Sequence, residues 1–289
     1  MMTLAKLLDR FQTQEQCLEY LVAMRWQGGV ECPRCANPKV YKLKTPFKWQ
    51  CKKCAKNGYR FSPLTGTIFE NTNYPLRQWF QVILLMCQAK KGISALQIHR
   101  TIGTGSYRTA WYMCHRIRAA MKNDEFTKLT GVVEVDETYI GGKAKNRHGR
   151  GGNGGGRDRE KVPVIGAISR KGNVVCQVIE RTDAQTLHGF VAETVSDKVK
   201  LVATDEHSGY SHLHMTHRHQ SVNHSAGEYV RGNVHTANID SFWSMLKRGL
   251  VGTFHQVSKG YLPLYLNEFS FRHNNREHPD MFSKVIAAS

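Results

Sequence analysis

Apolar and polar positions change their rhythm several times along the chain. From Leu4 to Met24 apolar residues recur near helical spacing, with Phe11, Cys17, Leu18, Leu21 and Val22 on one face, which predicts a helix. The runs then shorten to Val40-Tyr41-Lys42-Leu43, Phe47-Lys48-Trp49-Gln50 and Tyr59-Arg60-Phe61, three short strands. Leu76 to Lys90 is apolar at helical spacing and stops at Lys91-Gly92. Ser94 caps a helix beginning at Ala95, Gly103 and Gly105 make a short turn, and a basic helix follows over Ser106–Met121. Beyond Gly131, β-branched runs at Val132–Ile140, Val162–Ser169 and Asn173–Ile179 predict strands, the last two joined by Arg170-Lys171-Gly172. A helix over Ala184–Val195, an apolar strand over Lys200–Asp205, and helices through Asn238–Arg248 and Phe269–Arg276 complete the pattern. Three strands, a helix, a strand and further helices fit an α/β domain with a mixed sheet.

The cysteines explain the short strands. Cys32, Cys35, Cys51 and Cys54 form a CxxC-x15-CxxC pattern, a spacing that brings two thiolate pairs onto one tetrahedral Zn²⁺. Such a site is closed and structural, so it supplies folding energy and no chemistry. The expected organisation is a helical segment over residues 1–28, a zinc ribbon over 29–66, a helical region over 67–128 and a catalytic α/β domain over 129–289. The other four cysteines, Cys17, Cys87, Cys114 and Cys176, lie singly in apolar surroundings and read as core residues.

Charge adds a partner. The chain of 289 residues carries 41 Lys and Arg against 23 Asp and Glu, a net of +18. Residues 1–130 hold 21 basic and 7 acidic side chains, a net of +14, and the remainder 20 and 16, a net of +4. A basic front half beside a zinc ribbon points to nucleic acid, double-stranded DNA first, with an acidic membrane surface as the weaker alternative. Helix, glycine turn and basic helix is the helix-turn-helix layout, with Arg108 and Arg116 as candidate DNA contacts and solvated surface as the alternative. No apolar run approaches the roughly 18 residues of a membrane span, and the first twenty residues lack the smooth apolar stretch of an export signal. A cytoplasmic protein with no membrane partner is the expectation.

Three carboxylates carry the candidate chemistry. Asp136 interrupts an apolar strand and Asp205 ends another, positions that are costly unless the charge is paired or binds a cation. Asp240 follows on a helix, with Lys247 two turns later on the same face. Acids converging from two strands and a helix suit two Mg²⁺ or Mn²⁺ ions about 3.5–4 Å apart, the arrangement for phosphodiester chemistry. Each acid taken singly also reads as a strand end or a helix cap. Glu137 and Glu206 neighbour the first two acids as candidate secondary ligands, against which adjacent strand residues point to opposite faces. Gly141 to Lys161 holds seven basic and two acidic residues among many glycines. Its Lys143, Lys145, Arg147 and Arg150 could clamp a phosphate backbone. Histidines gather at His207, His212, His214, His217, His219 and His224, at spacings too irregular for a metal motif.

The segments CPRC…CKKC, FSPLTGTIFENT, EVDETYIGGK, ATDEHSGY, NHSAGEYV, HTANIDSFWSMLKRGLVGTFH and YLNEFSFRHNNR together resemble a DDE transposase of bacterial insertion sequences. The likeness is to the zinc-ribbon-bearing insertion-sequence family fifteen-ninety-five, in family order over nearly the whole chain. The resemblance implies a ribonuclease-H-like catalytic core that cuts transposon ends with a divalent metal and joins the 3′-hydroxyl to target DNA. Asp136 and Asp205 would be the first two acids. The third position, usually Glu, is Asp240 here, seven residues before Lys247, with Asn238 as the alternative third ligand. Arg248 joins the expected DNA contacts, and synapsis of two ends implies a homodimer or larger assembly on DNA. The rival readings are a DNA-binding regulator without catalysis and a metal-dependent nuclease that cuts without joining.

Overall fold

The computed structural model describes residues 2–54, 57–122, 127–141 and 161–289. Its chain divides into two compact units, residues 1–122 with 277–289, and residues 123–276.

The first unit opens with two helices in place of one. α1 (Leu4–Arg10) and α2 (Gln14–Arg25) break at Phe11–Thr13, because Thr13 caps α2 through a full capping box with Gln16. The ribbon strands β1 (Tyr41–Lys42), β2 (Trp49–Cys51) and β3 (Tyr59–Phe61) form an antiparallel sheet in that order. Trp26, Trp49 and Phe61 pack against the cysteines as its small core. α3 (Leu76–Gln88) is buried along most of its length. α4 (Ala95–Ile102) and α5 (Tyr107–Ala120) start at Ser94 and Ser106, whose hydroxyls each accept a backbone N–H of the first turn. Between them Gly103 takes φ 73°, the left-handed geometry that ends a helix cheaply only with glycine.

The catalytic domain was expected to run to the C terminus, but the last helix, α9 (Met281–Ala287), packs in the first unit against α2 and α3. Its Phe282 is buried among Phe11, Tyr20 and Phe80, and Tyr20 Oη lies 2.6 Å from Ser283 Oγ. Apolar residues on a seven-residue helix look the same to either unit from sequence. The aromatic cluster is what decides.

The second unit is a five-stranded mixed sheet in the order β6-β5-β4-β7-β8. β4 (Val132–Ile140), β5 (Val162–Ser169) and β6 (Val174–Val178) are an antiparallel meander, while β7 (Leu201–Thr204) and β8 (His219–Ser221) extend it in parallel. Both faces are covered, so its strands read as near-continuous apolar runs. On one face Val133, Val135, Ile165 and Ala167 pack against α6 (Ala184–Thr194). On the other Val164, Ile168 and Val174 pack against α7 (Ala237–Gly252) and α8 (Leu262–Asn274). Among the described residues no helix is long and apolar enough to cross a membrane.

Candidate active site and zinc centre

The acids meet where the parallel pairing of β4 and β7 ends. β4 and β7 pair from Val132–Leu201 to Glu134–Ala203, and continuing that register sets Asp205 beside Asp136. β7 stops at Thr204, so Asp205 stands past the end of its strand, reachable from either face of β4. Glu137 exploits this. It faces the α6 side, opposite to Asp136, yet one oxygen from each of Asp136, Glu137 and Asp205 lies within 4.8 Å of the others. The sequence offers Glu137 as a secondary ligand with strand alternation against it, a rule that weakens where the neighbouring strand has ended.

Burial and mutual repulsion shape the electrostatics. Removal from water pushes the Asp136 carboxyl up to about 8, and the charges of Asp205, Glu137 and Asp240 push it the same way. The Trp243 indole, donating to Asp136 Oδ2 at 2.9 Å, works against that rise. Glu137 is also raised, first by burial, while the Tyr210 hydroxyl donating to Oε2 at 2.7 Å opposes the shift. His207 Nε2 lies 3.7 Å from Glu137 Oε1, and the His207 N–H donates to Asp205 Oδ1 at 3.1 Å. Three hard oxygen donors with excess negative charge are the donor set that Mg²⁺ or Mn²⁺ takes.

α7 brings the rest of the candidate site. Asp240 lies outside the close group of three. It is exposed, its Oδ2 accepts from the Thr236 hydroxyl at 3.0 Å, and it is near enough to act on Asp136 through its charge. Lys247 is exposed on the same helix, about 20° around the axis from Asp240 by the α-helical repeat. Arg248 is exposed as well, its Nε donating to Ser244 O at 3.2 Å. The Asn238 side-chain amide donates to Glu134 Oε1 at 2.7 Å. Gly166 pairs with Asp136 on β5, and the Trp243 ring lies over it so closely that an added Cβ would stand 2.6 Å from Cη2. Glu134, Gly166 and Trp243 were not singled out from sequence. A glycine inside an apolar strand, which marks a close approach, was the available signal.

The four ribbon cysteines converge, with no disulfide between them. Cys32 Sγ and Cys54 Sγ are 3.8 Å apart, Cys35 Sγ and Cys51 Sγ 3.7 Å. A regular tetrahedron with Zn–S bonds of about 2.3 Å has edges of about 3.8 Å, so the cage fits Zn²⁺. These two groups are the sets of three or more clustered metal-competent side chains among the described residues; the histidines noted above form no third.

The candidate DNA contacts separate in kind. Arg108 is exposed on α5. Arg116 donates to Glu70 O at 3.0 Å, Thr67 O at 3.1 Å and the Tyr112 hydroxyl at 3.0 Å. Lys143, Lys145, Arg147 and Arg150 lie outside the described residues.

A family profile described as the ISXO2-like transposase domain matches residues 128–274, slightly more than half of the chain. The chain belongs to the ISXO2-like transposase family. The profile covers the five-stranded sheet, the acids and α7. A second profile, the transposase zinc-ribbon domain, matches residues 12–57 and so takes in α2 and all four cysteines. A relative from Halobacterium salinarum, named "Uncharacterized protein in transposable element ISH50", is 28% identical over 281 residues, 92% of each chain. As a member of the transposase family with its zinc-ribbon domain, the chain is a DNA-acting protein with groups able to bind metal.

Proposed function

We propose that this family member binds the terminal inverted repeats of its element, cleaves the DNA ends and joins the 3′-hydroxyl to target DNA by two-metal transesterification. The observation that carries the reading is the meeting of Asp136 and Glu137, midway along β4, with Asp205 at the carboxyl end of β7, inside the family's transposase domain. The strand order supports a ribonuclease-H-like core, since a three-strand meander extended by two parallel strands is the arrangement that fold uses.

Asp136 and Asp205 would hold the divalent cations, with Asp240 completing the set from α7 and Glu137 as an added oxygen donor. Divalent cations there would activate the attacking oxygen and stabilise the leaving one. The chain's own groups do the rest. Trp243 holds the Asp136 carboxylate in one orientation, His207 and Tyr210 hold Glu137, and Lys247 offers a cation to a phosphate or an end base. In the first unit α4 and α5 act as a helix-turn-helix, with Arg108 facing the groove and Arg116 fixing α5 to the backbone at Thr67 and Glu70. Zn²⁺ in the cysteine cage would keep the ribbon folded. Arg248 and the basic stretch with Lys143, Lys145, Arg147 and Arg150 would contact phosphates. Two ends must be held together, so the working form is a dimer or larger on DNA.

The test is cleavage and joining of labelled cognate ends under Mg²⁺ or Mn²⁺. Activity lost in Asp205→Ala with end binding kept supports the enzyme. End binding by the unaltered protein without cutting supports a regulator, and cutting without joining supports a nuclease.

A further inference from the structure

Glu134 has no part in the chemistry above, yet its side chain is fully buried. It lies on β4 two residues before Asp136, on the same face of the strand. Four donors surround its carboxylate, with an imidazole nitrogen beside them. Oε1 faces Arg170 Nε at 2.8 Å, Asn238 Nδ2 at 2.7 Å and His235 Nδ1 at 3.2 Å, and Oε2 accepts the Asn238 N–H at 2.8 Å and the Ile239 N–H at 3.2 Å.

The two backbone donors belong to the second and third residues of α7. A helix ordinarily caps these N–H groups with the side chain at its own N-cap. The N-cap residue here, Thr236, gives no such bond and donates its hydroxyl to Asp240 instead. The cap therefore comes from another element, a strand about a hundred residues earlier in sequence. Burying a carboxylate is costly unless it is fully bonded, and a helix ordinarily caps itself with its own N-cap side chain at no such cost. What the buried charge adds is location, because it ties the first turn of α7 to one place along β4.

We propose that Glu134 is a positioning residue that sets α7, and with it Asp240, Trp243 and Lys247, against the strand carrying Asp136. The contacts run in sequence. Glu134 fixes the helix start, Thr236 at that start orients Asp240, and one turn on Trp243 reaches back across Gly166 to Asp136. Asn238, the alternative third ligand from sequence, turns its amide to Glu134 and belongs to this clamp. The proposal rests on the transposase reading for its catalytic consequence.

The experiment uses the full chain as Glu134→Gln, which keeps the shape and removes the charge, and Glu134→Asp, which keeps the charge and withdraws it by one methylene. Mn²⁺ affinity is read by electron paramagnetic resonance without DNA, and cleavage and end affinity with DNA. A displacement of α7 by about 1 Å predicts cleavage slowed on the order of 100-fold. Mn²⁺ binding should weaken about tenfold while end affinity stays within about twofold. Glu134→Asp should recover part of both losses relative to Glu134→Gln. Combined with Trp243→Phe, the rate losses should be less than multiplicative, since both act on one contact path. Unchanged Mn²⁺ affinity and cleavage in a folded variant would overturn the proposal. So would rates that match the unaltered protein once each variant is assayed well below its own melting temperature, or losses that multiply fully. An unaltered protein with no metal-dependent cleavage would instead overturn the transposase chemistry, leaving the Mn²⁺ comparison as the test of positioning.

Discussion

Gly166→Ala is the smallest change that should disturb the acids without touching one. Gly166 sits opposite Asp136 on β5, under the indole of Trp243. The new methyl would lie 2.6 Å from Cη2, 2.7 Å from Cζ2 and 3.2 Å from Ile239 Cδ1. Ordinary carbon contacts are about 3.5–4.0 Å, so the ring must retreat by about 1 Å. Trp243 is 3% exposed within the α7–α8 core, so its retreat pushes on packed neighbours. Overpacking of this kind costs about 1–3 kcal/mol, and for a unit of this size each kcal/mol lowers the melting temperature by about 2–4 °C. The larger effect should be chemical. A ring displaced by 1 Å loses its 2.9 Å bond to Asp136 Oδ2, and a misplacement of that size costs on the order of 100-fold in rate. Thermal melting and metal-dependent cleavage of end DNA measure the two separately. A folded Gly166→Ala protein that cleaves at the unaltered rate would refute the claim that Trp243 sets the Asp136 orientation.

Further outcomes follow from the Asp136 carboxyl, the cysteine cage and the aromatic cluster. Because the Asp136 carboxyl is raised to about 8 from an unfolded value of about 3.9, the metal-free fold holds a proton there that the unfolded chain has released. Metal-free stability should therefore be greatest below about pH 4 as far as this group is concerned, and fall as pH rises toward 8. Cation binding requires the carboxylate, so Mn²⁺ affinity should climb with pH up to about 8 and then level. Calorimetric titration at pH 6, 7 and 8 checks this, and a flat affinity would contradict it. Cys51→Ser should release Zn²⁺ and unfold the ribbon, read as lost metal by atomic absorption and lost end binding, while the acids' unit melts unchanged. Phe282→Ala removes a ring that is 1% exposed in the aromatic cluster and should destabilise the first unit by about 3–5 kcal/mol. Hydrogen exchange should rise in α2 and α3, and faster exchange in β4 and β5 instead would refute the assignment of α9 to the first unit.

Much of this protein is local and was open to the sequence. β4 and β5 begin and end where their β-branched runs do, and Ser94 and Ser106 mark helix starts because their hydroxyls bond N–H groups three residues on. The four cysteines declare their cage because CxxC turns aim both thiolates one way whatever surrounds them. Asp136 stands out as a charge within an apolar strand and Asp205 as one at the end of another, since only a cation or a partner offsets the burial of such groups. The tertiary structure decided everything that depends on which distant segments meet. The parallel register of β4 and β7 juxtaposes Asp136 with Asp205 and lets Glu137 reach around a strand end. The crossing of α7 over Gly166 gives Trp243 to Asp136, and Glu134 caps a helix that begins about a hundred residues later. The C-terminal helix joins the first unit through an aromatic cluster assembled from both ends of the chain. Periodicity and capping are set by neighbours within a few residues, whereas these contacts depend on long-range packing that no local pattern encodes.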